Sequence, residues 1–175
     1  MRKMKLVVFD LDGTLWFNNS HVDLVYSYYK LKKIHIYAIK VLGRLSHKYH
    51  MKFLNKKFES IPDEYINNFK PKWNDDVLCI LNEEKEAGAN VIVITNAPER
   101  ISEFAQKKLN IPVYHAEIGR KDEVLNRFFY DELSVYSDNK TDYNIMEKAD
   151  FVGLIINKSN KSYFENAKFK NMKII

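Results

Sequence analysis

The sequence predicts an α/β protein, in which a parallel sheet is flanked by helices and a small all-helical segment is inserted after the first strand. Short apolar runs of strand length alternate with helical patterns along most of the 175 residues. Such alternation is typical of a Rossmann-like parallel sheet with helices on both faces. Residues 17–75 break the alternation, because their apolar residues recur at the three- and four-residue steps of helices.

The expected strands are short runs rich in apolar residues. The first covers residues 4–9, with Val7 and Val8 at its centre, and is bounded by a polar turn. Later runs lie at residues 91–94, 112–114, 133–136, 152–155 and 172–175. Helical patterns fall between them, at residues 77–87, 99–109, 122–129, 143–148 and 162–167. The sheet and its helices are therefore expected to comprise residues 1–16 and 76–175.

Residues 17–75 are expected to fold as three or four helices, which end at Pro62 and Pro71. The formal net charge of the chain is +5, and its excess of basic residues lies in this segment. A basic surface attracts phosphorylated small molecules, nucleic acid or anionic membranes, although a solvated lysine-rich face explains the charge equally well. No nucleic-acid motif accompanies the charge, so a nucleic-acid partner is not expected.

The cellular compartment is constrained by cysteine content and by hydropathy. Cys79 is the single cysteine, so no intrachain disulfide can form. The apolar run at residues 6–9 is too short for the core of a signal peptide, and no stretch has the length of a bilayer span. We therefore expect a cytoplasmic protein.

Two carboxylates, Asp10 and Asp12, follow the first predicted strand, and Gly13 and Thr14 come next. Residues two apart on an extended chain face the same side, so both carboxylates can reach one pocket. One can act as a nucleophile, while the other protonates a leaving oxygen and then activates water. Gly13 permits a sharp exit from the strand. The alternative is a simple Asp-Gly turn at the surface.

Thr95 and Asn96 end the second predicted strand, where a hydroxyl and the following backbone N–H groups can bind phosphate oxygens. A capping role for Thr95 at the next helix is the alternative. Arg120 and Lys121 offer a fixed cation that could neutralise a phosphoryl group, or a solvated charge at a helix start.

Asp138 and Asp142 follow the predicted strand at residues 133–136. Paired carboxylates in a loop are suitable oxygen ligands for Mg²⁺. An Asx turn that leads into a helix is the alternative for this segment.

In this order, the four groups resemble the motifs of the haloacid dehalogenase superfamily, and the resemblance spans nearly the whole chain. The matching positions are Asp10, Asp12, Gly13 and Thr14 for the first motif, Thr95 for the second, Lys121 for the third, and Asp138 with Asp142 for the fourth. The helical insertion resembles the cap of the branch that contains phosphoserine phosphatase and phosphatidylglycerophosphate phosphatase.

The resemblance implies a Mg²⁺-dependent phosphatase acting on a phosphorylated small molecule. Asp10 would form an aspartyl-phosphate, and Asp12 would be the general acid and base. Thr95, Asn96 and Lys121 would bind the phosphoryl group, with Gly13, Thr14 and Asp142 in supporting roles. Mg²⁺ would be held by Asp10, Asp12 and Asp138, with Asp12 contributing its backbone carbonyl. The presence of Asp12 favours phosphoryl transfer over dehalogenation, which needs no acid for the leaving group.

Two alternative functions are compatible with the same residues. The basic, aromatic-rich segment at residues 17–75 could bind an anionic membrane surface, which would suit a lipid-phosphate phosphatase. A non-catalytic phosphate-binding protein could also use this fold, because a fold does not guarantee activity.

Overall fold

The computed structural model describes residues 3–31, 47–157, 160–165 and 167–175. The chain divides into two compact units, Met1–Asn18 with Lys72–Ile175, and Asn19–Pro71. The first part of the sheet unit thus ends at Asn18, and its second part begins at Lys72. The sequence suggested residues 16 and 76 for these two boundaries. Part of the expected helical pattern, at residues 32–46, lies outside the described residues.

The sheet unit alternates strands and helices. Its strands are β1 (Lys5–Phe9), β2 (Asn90–Thr95), β3 (Val113–His115), β4 (Glu132–Ser137), β5 (Phe151–Leu154) and β6 (Met172–Ile174). Its helices are α4 (Asp75–Glu86), α5 (Glu99–Leu109), α6 (Lys121–Leu125), α7 (Tyr143–Met146) and α8 (Lys161–Phe164), with a 3-10 turn at Lys140–Asp142. The described helices of the other unit are α1 (Ser20–Tyr28), α2 (His47–Glu59) and α3 (Asp63–Asn68).

All six strands pair in parallel, in the order β3-β2-β1-β4-β5-β6. The strand β1 is central and pairs with β2 on one side and with β4 on the other. The predicted fold class, a parallel sheet flanked by helices, is therefore confirmed.

The central strands form because their side chains are apolar on both faces. Val7 in β1, Ile92 in β2 and Val135 in β4 are fully buried. Burial of one such side chain contributes roughly 1.5–3 kcal/mol, so the run of apolar residues in each strand favours the middle of the sheet. The edge strand β6 has exposed residues throughout, as its position at the rim allows.

The helices of the sheet unit begin within two residues of the predicted positions, but α6, α7 and α8 end before residues 129, 148 and 167, where the sequence predicts their ends. The helix α5 follows Pro98 and ends at Asn110, whose backbone is left-handed at φ 51°. The helix α6, predicted at residues 122–129, instead ends at Leu125. Beyond it, the backbone N–H groups of Arg127 and Phe128 bond three residues back, to Val124 and Leu125, in the pattern of tighter turns.

The chain segments that leave and re-enter the sheet unit pair with each other. The N–H of Phe17 donates to the carbonyl of Lys72 at 2.9 Å, and the N–H of Asn74 donates to that of Leu15 at 2.8 Å. Trp16 is fully buried between them, edge-on to Trp73 at 5.6 Å between ring centroids. Trp16 therefore serves as a packed aromatic at this junction.

In the helical unit, Asn19 caps α1, since its side chain accepts a hydrogen bond from the N–H of Val22 at 3.0 Å. His21 is buried on α1, and its ring lies edge-on to Phe58 of α2 at 4.9 Å. Burial lowers the pKa of His21 below its ordinary value. Among the described residues, no helix combines the length and apolar character that a bilayer crossing requires.

Candidate active site

The order of the strands creates a crevice at the carboxyl ends of β1 and β4. In doubly wound sheets, ligands bind where the connections from two neighbouring strands diverge to opposite sides. β1 is followed in the chain by β2 on one side, whereas β4 is followed by β5 on the other. Asp10 comes directly after β1, and its N–H donates to the carbonyl of Tyr136 in β4 at 2.9 Å. Asp138 comes directly after β4, so the two predicted carboxylates lie at this crevice.

A buried ammonium group joins two of the predicted carboxylates. Nζ of Lys121 lies 2.6 Å from Oδ1 of Asp10 and 2.7 Å from Oδ2 of Asp142. All three side chains are at most 3% exposed. Ser137 also donates its hydroxyl to Oδ2 of Asp142, at 2.7 Å. The ammonium is thus fixed directly beside the predicted nucleophile by Asp142, from the 3-10 turn after β4, and Asp142 is held in turn by Ser137 at the end of β4.

Burial dominates the electrostatics of this group. It raises the pKa of the Asp10 carboxyl to about 8, with Asp142 and Asp138 adding to the rise and Lys121 opposing it. Burial lowers the pKa of Lys121, but the attraction of Asp10 and Asp142 outweighs burial, so its pKa lies above the ordinary value. Lys121 therefore stays charged, and a further cation beside Asp10 would favour the ionised carboxylate.

Arg120 lies apart from this cluster, although it is the neighbour of Lys121. Its guanidinium is half-exposed and pairs with Glu117 at 2.9 Å and with Glu123 at 2.6 Å. These two carboxylates raise the pKa of Arg120 further above its already high value. Of the two cations left open by the sequence, Lys121 is the one beside Asp10.

The loop after β1 is shaped by Gly13. Its φ of +79° lies in the left-handed region that favours glycine. A Cβ at this position would overlap the carboxylate of Asp138, so the side chain of Asp138 packs directly against the backbone of the loop. Thr14 adds a second link, because its hydroxyl accepts a hydrogen bond from the N–H of Asp138 at 3.1 Å. Asp12 is half-buried and lies in the chain between Asp10 and the Gly13-Thr14 pair that contacts Asp138.

Asp138 is also held by residues for which sequence reasoning assigned no role. Asn157 donates to its Oδ2 at 3.0 Å, and Asn160 donates to its backbone carbonyl at 2.7 Å. Both asparagines follow β5, the strand next to β4. Their position just after a predicted strand was the available signal, because side chains there reach the same edge of the sheet.

Thr95 and Asn96 end β2 on the other side of β1. The fully buried Thr95 accepts a hydrogen bond from the N–H of Ala97 at 3.0 Å, so its hydroxyl holds the turn into the next helix. The side-chain amide of Asn96 donates to the carbonyl of Ala116 at 2.8 Å. Both residues therefore stabilise the loop after β2, the strand that pairs with β1 and so lies next to Asp10.

The residues of the crevice fit a divalent cation. Oδ2 of Asp10 is buried, and among the described residues it has no hydrogen-bond partner. Burial and, to a smaller extent, the nearby Asp142 raise the pKa of Asp138 to about 6, so a cation beside this carboxyl would favour its ionised form. Within the same described residues, no three His, Cys, Asp or Glu side chains are grouped closely enough to enclose a metal. The donor set suits a hard cation such as Mg²⁺, which is bound by one or two carboxylates and keeps several waters.

Comparisons with known proteins establish the fold. No family model matches the sequence. No curated protein is similar enough to match it. Solved structures that match include a phosphoserine phosphatase described as an analogue of its phospho-aspartyl intermediate, with 16% identity, a TM-score of 0.64, and coverage of 97% of this chain and 95% of that chain.

Two other matches have the same architecture. A phosphoserine phosphohydrolase-like protein from Francisella tularensis subsp. tularensis SCHU S4 has 18% identity and a TM-score of 0.67, covering 97% of this chain and 95% of that chain. A dehalogenase has 16% identity and a TM-score of 0.62, covering 99% of this chain and 94% of that chain. This chain therefore shares the fold of haloacid dehalogenase-type proteins.

Proposed function

We propose that this protein is a Mg²⁺-dependent phosphohydrolase of the haloacid dehalogenase superfamily, which hydrolyses a phosphomonoester through an aspartyl-phosphate on Asp10. The observation that carries the proposal is the buried contact between the Lys121 ammonium and the Asp10 carboxylate, at 2.6 Å. A lysine at the start of a helix is rarely fully buried without charged partners, because its desolvation is costly, so this burial indicates a built ionic site. The shared fold with a phosphatase whose structure represents a phospho-aspartyl intermediate adds support.

The reaction is proposed to proceed in two displacements. An oxygen of Asp10 attacks phosphorus, and the bond from phosphorus to the substrate oxygen breaks. Asp12 gives its proton to that leaving oxygen, so the alcohol departs neutral. In the second step, Asp12 takes a proton from water, which attacks phosphorus and releases Asp10. The net change is one phosphomonoester and one water converted into one alcohol and one inorganic phosphate.

Lys121 has two tasks in this scheme. Its charge favours the ionised Asp10 carboxylate, and it opposes the negative charge of the arriving phosphoryl oxygens. Asp142 keeps the ammonium in place by accepting its hydrogen bond at 2.7 Å, and Ser137 donates to the same oxygen of Asp142 at 2.7 Å. Thr95 and Asn96 are proposed to bind the remaining phosphoryl oxygens through the hydroxyl and the loop backbone.

A bound Mg²⁺ would neutralise phosphoryl oxygens and favour the ionised form of Asp10. The residues that would hold it are Asp10 and Asp138 through their carboxylates and Asp12 through its backbone carbonyl. Gly13 and Thr14 would support this set, because they fix the loop against the Asp138 side chain. We further propose that residues 17–75 are the cap that selects the leaving group.

The test is phosphate release from a panel of amino-acid, sugar, nucleotide and lipid phosphates, with Mg²⁺ and with EDTA. We expect Mg²⁺-dependent turnover of one class, and loss of turnover in Asp10→Asn. The exposed Asp131→Asn is the matched control and should retain full activity, because it makes the same chemical change just before β4, at the opposite end of the strand from the crevice. Activity of Asp10→Asn equal to wild type would remove Asp10 from its role. Turnover restricted to lipid phosphates in vesicles would favour the membrane-surface alternative, and silence across the panel would favour a non-catalytic protein.

A further inference from the structure

Asn157 and Asn160 reach Asp138 from the strand that neighbours its own. The side-chain amide of Asn157 donates to Oδ2 of Asp138 at 3.0 Å. That of Asn160 donates to the backbone carbonyl of Asp138 at 2.7 Å. One asparagine thus contacts the carboxylate, while the other contacts the main chain of the same residue.

The two asparagines also hold each other. The N–H of Asn157 donates to Oδ1 of Asn160 at 2.8 Å, and the N–H of Asn160 donates to Oδ1 of Asn157 at 3.1 Å. Asn160 is 2% exposed, and its amide donates a second hydrogen bond to the carbonyl of Ile155 at 2.9 Å. Each partner of Asn160 requires one particular end of its amide, so the orientation of the side chain is fixed. The two asparagines therefore connect the loop after β5 to the loop after β4 through side chains whose orientations are fixed.

The opposite side of Asp138 is closed by the loop after β1. The backbone of Gly13 packs against the carboxylate, and Thr14 accepts from the N–H of Asp138. With Asn157 bonded to Oδ2, the carboxylate is held from both sides and cannot rotate freely. A carboxylate in one fixed orientation binds a cation without the entropic cost of ordering it.

We propose that Asn157 and Asn160 are positioning residues that orient Asp138 for the divalent cation of the proposed function, on which this inference rests. Asn157 satisfies Oδ2 with a neutral donor, so the oxygen assigned to the cation is Oδ1, which accepts a long hydrogen bond from the Thr14 hydroxyl at 3.5 Å. An amide adds no charge to a crevice that already contains Asp10, Asp138 and Asp142. Hydrogen-bond partners of metal ligands act in this way generally, and their loss costs about 10- to 100-fold in metal affinity.

The experiment measures Mn²⁺ binding to the full chain by the loss of the free-ion EPR signal, because Mn²⁺ accepts the same oxygen ligands as Mg²⁺. The variants are Asn157→Leu, which removes at similar size the donor to Asp138 and the acceptor for the N–H of Asn160, and Asn126→Leu, a matched control on an exposed helix end. We expect Asn157→Leu to bind Mn²⁺ about 10-fold or more weakly, and Asn126→Leu to bind as wild type does. Asn157→Leu should stay folded in EDTA and be only slightly less stable than Asn126→Leu, because Asn157 is exposed and loses two side-chain hydrogen bonds.

Asn160→Leu removes both amide donors without adding charge to the crevice, so a folded Asn160→Leu should weaken Mn²⁺ binding by a similar factor. Equal Mn²⁺ affinity of wild type and a folded Asn157→Leu would overturn this inference and leave the proposed function standing. A merely structural role would lower the stability of Asn157→Leu in EDTA without a change in affinity, and it would overturn the inference too. Failure of the wild type to bind either Mn²⁺ or Mg²⁺ would overturn both proposals.

Discussion

Replacement of Lys121 by methionine keeps most of the side chain's length and removes its charge. In the wild type, the ammonium lies 2.6 Å from Asp10 and 2.7 Å from Asp142, and all three groups are almost fully buried. The variant would leave two buried carboxylates without their shared partner. Removal of one partner from a buried ion pair costs roughly 3–5 kcal/mol, so we expect the free energy of unfolding to fall by about that amount at pH 8.

The loss should depend on pH, because Asp10 can take up a proton. Lys121 lowers the pKa of Asp10, which is nevertheless raised to about 8 by burial, so the variant should have a still higher value. A carboxyl whose folded pKa exceeds its unfolded value binds a proton more tightly in the native state. It therefore destabilises the fold progressively as pH rises from about 4 toward the folded pKa. The cost of Lys121→Met should accordingly be smaller at pH 5 than at pH 8.

Urea unfolding followed by tryptophan fluorescence measures this cost. Both tryptophans of the chain, Trp16 and Trp73, lie in the sheet unit, so their emission reports the unfolding of that unit. The control is Lys107→Met on an exposed face of α5, where the same change should alter stability by less than about 0.5 kcal/mol. A Lys121→Met protein as stable as this control at pH 8, or a loss that does not depend on pH, would refute the electrostatic argument.

Two further predictions concern the crevice and the helical unit. Gly13→Ala should lose roughly 1–2 kcal/mol from its left-handed backbone and also bind Mn²⁺ more weakly, because the new Cβ would displace Asp138. Gly119→Ala has the same backbone cost in open space, at φ +77°, so equal Mn²⁺ affinity of the two variants would contradict this explanation. His21 has a lowered folded pKa, so the unfolded chain binds its proton first and stability should fall as pH drops below about 6.5. His21→Leu should reduce that fall in urea unfolding followed by circular dichroism, and an unchanged pH dependence would remove His21 as its source.

The fold could be predicted from the sequence because its strongest signals are local. The strands β1 and β2 are continuous apolar runs, and such runs are stable only where both faces of a sheet are covered. Helix ends were harder to place. The helix α6 stops at Leu125 although its apolar pattern continues, because the following N–H groups form tighter turns. That choice depends on tertiary packing, which periodicity does not encode.

The contrast between Arg120 and Lys121 is partly visible in the sequence. Glu117 and Glu123 lie three residues on either side of Arg120, and both pair with its guanidinium. This spacing satisfies the charge of Arg120 locally and leaves Lys121 to pair elsewhere. The partners of Lys121 are Asp10 and Asp142. Lys121 and Asp10 are 111 residues apart in the chain, and the order of the strands in the sheet brings them together.

The roles of Asn157 and Asn160 illustrate a limit of motif reasoning. Asparagines in a loop are usually read as turn residues, and these two do cap each other's backbone. Their additional contacts with Asp138 exist only because β5 pairs with β4, so that the loops after both strands meet. A sequence motif contains the residues that take part in the chemistry. The residues that position them, such as Asn157 and Asn160, can be recognised only once the pairing of β4 with β5 is known.

The crevice combines three buried or half-buried carboxylates with a single ammonium, and this imbalance links stability to function. Burial raises the pKa values of Asp10 and Asp138, and the neighbouring carboxylates, which Lys121 offsets only in part, raise them further. A structure selected for stability alone would remove one carboxylate, because unpaired buried charge is costly. Retention of all three is explained if a divalent cation completes the charge balance. Stabilisation of the folded protein by the cation should therefore grow as pH rises through the pKa of Asp138, about 6, and that of Asp10, about 8, because the ionised carboxylates bind the cation most tightly.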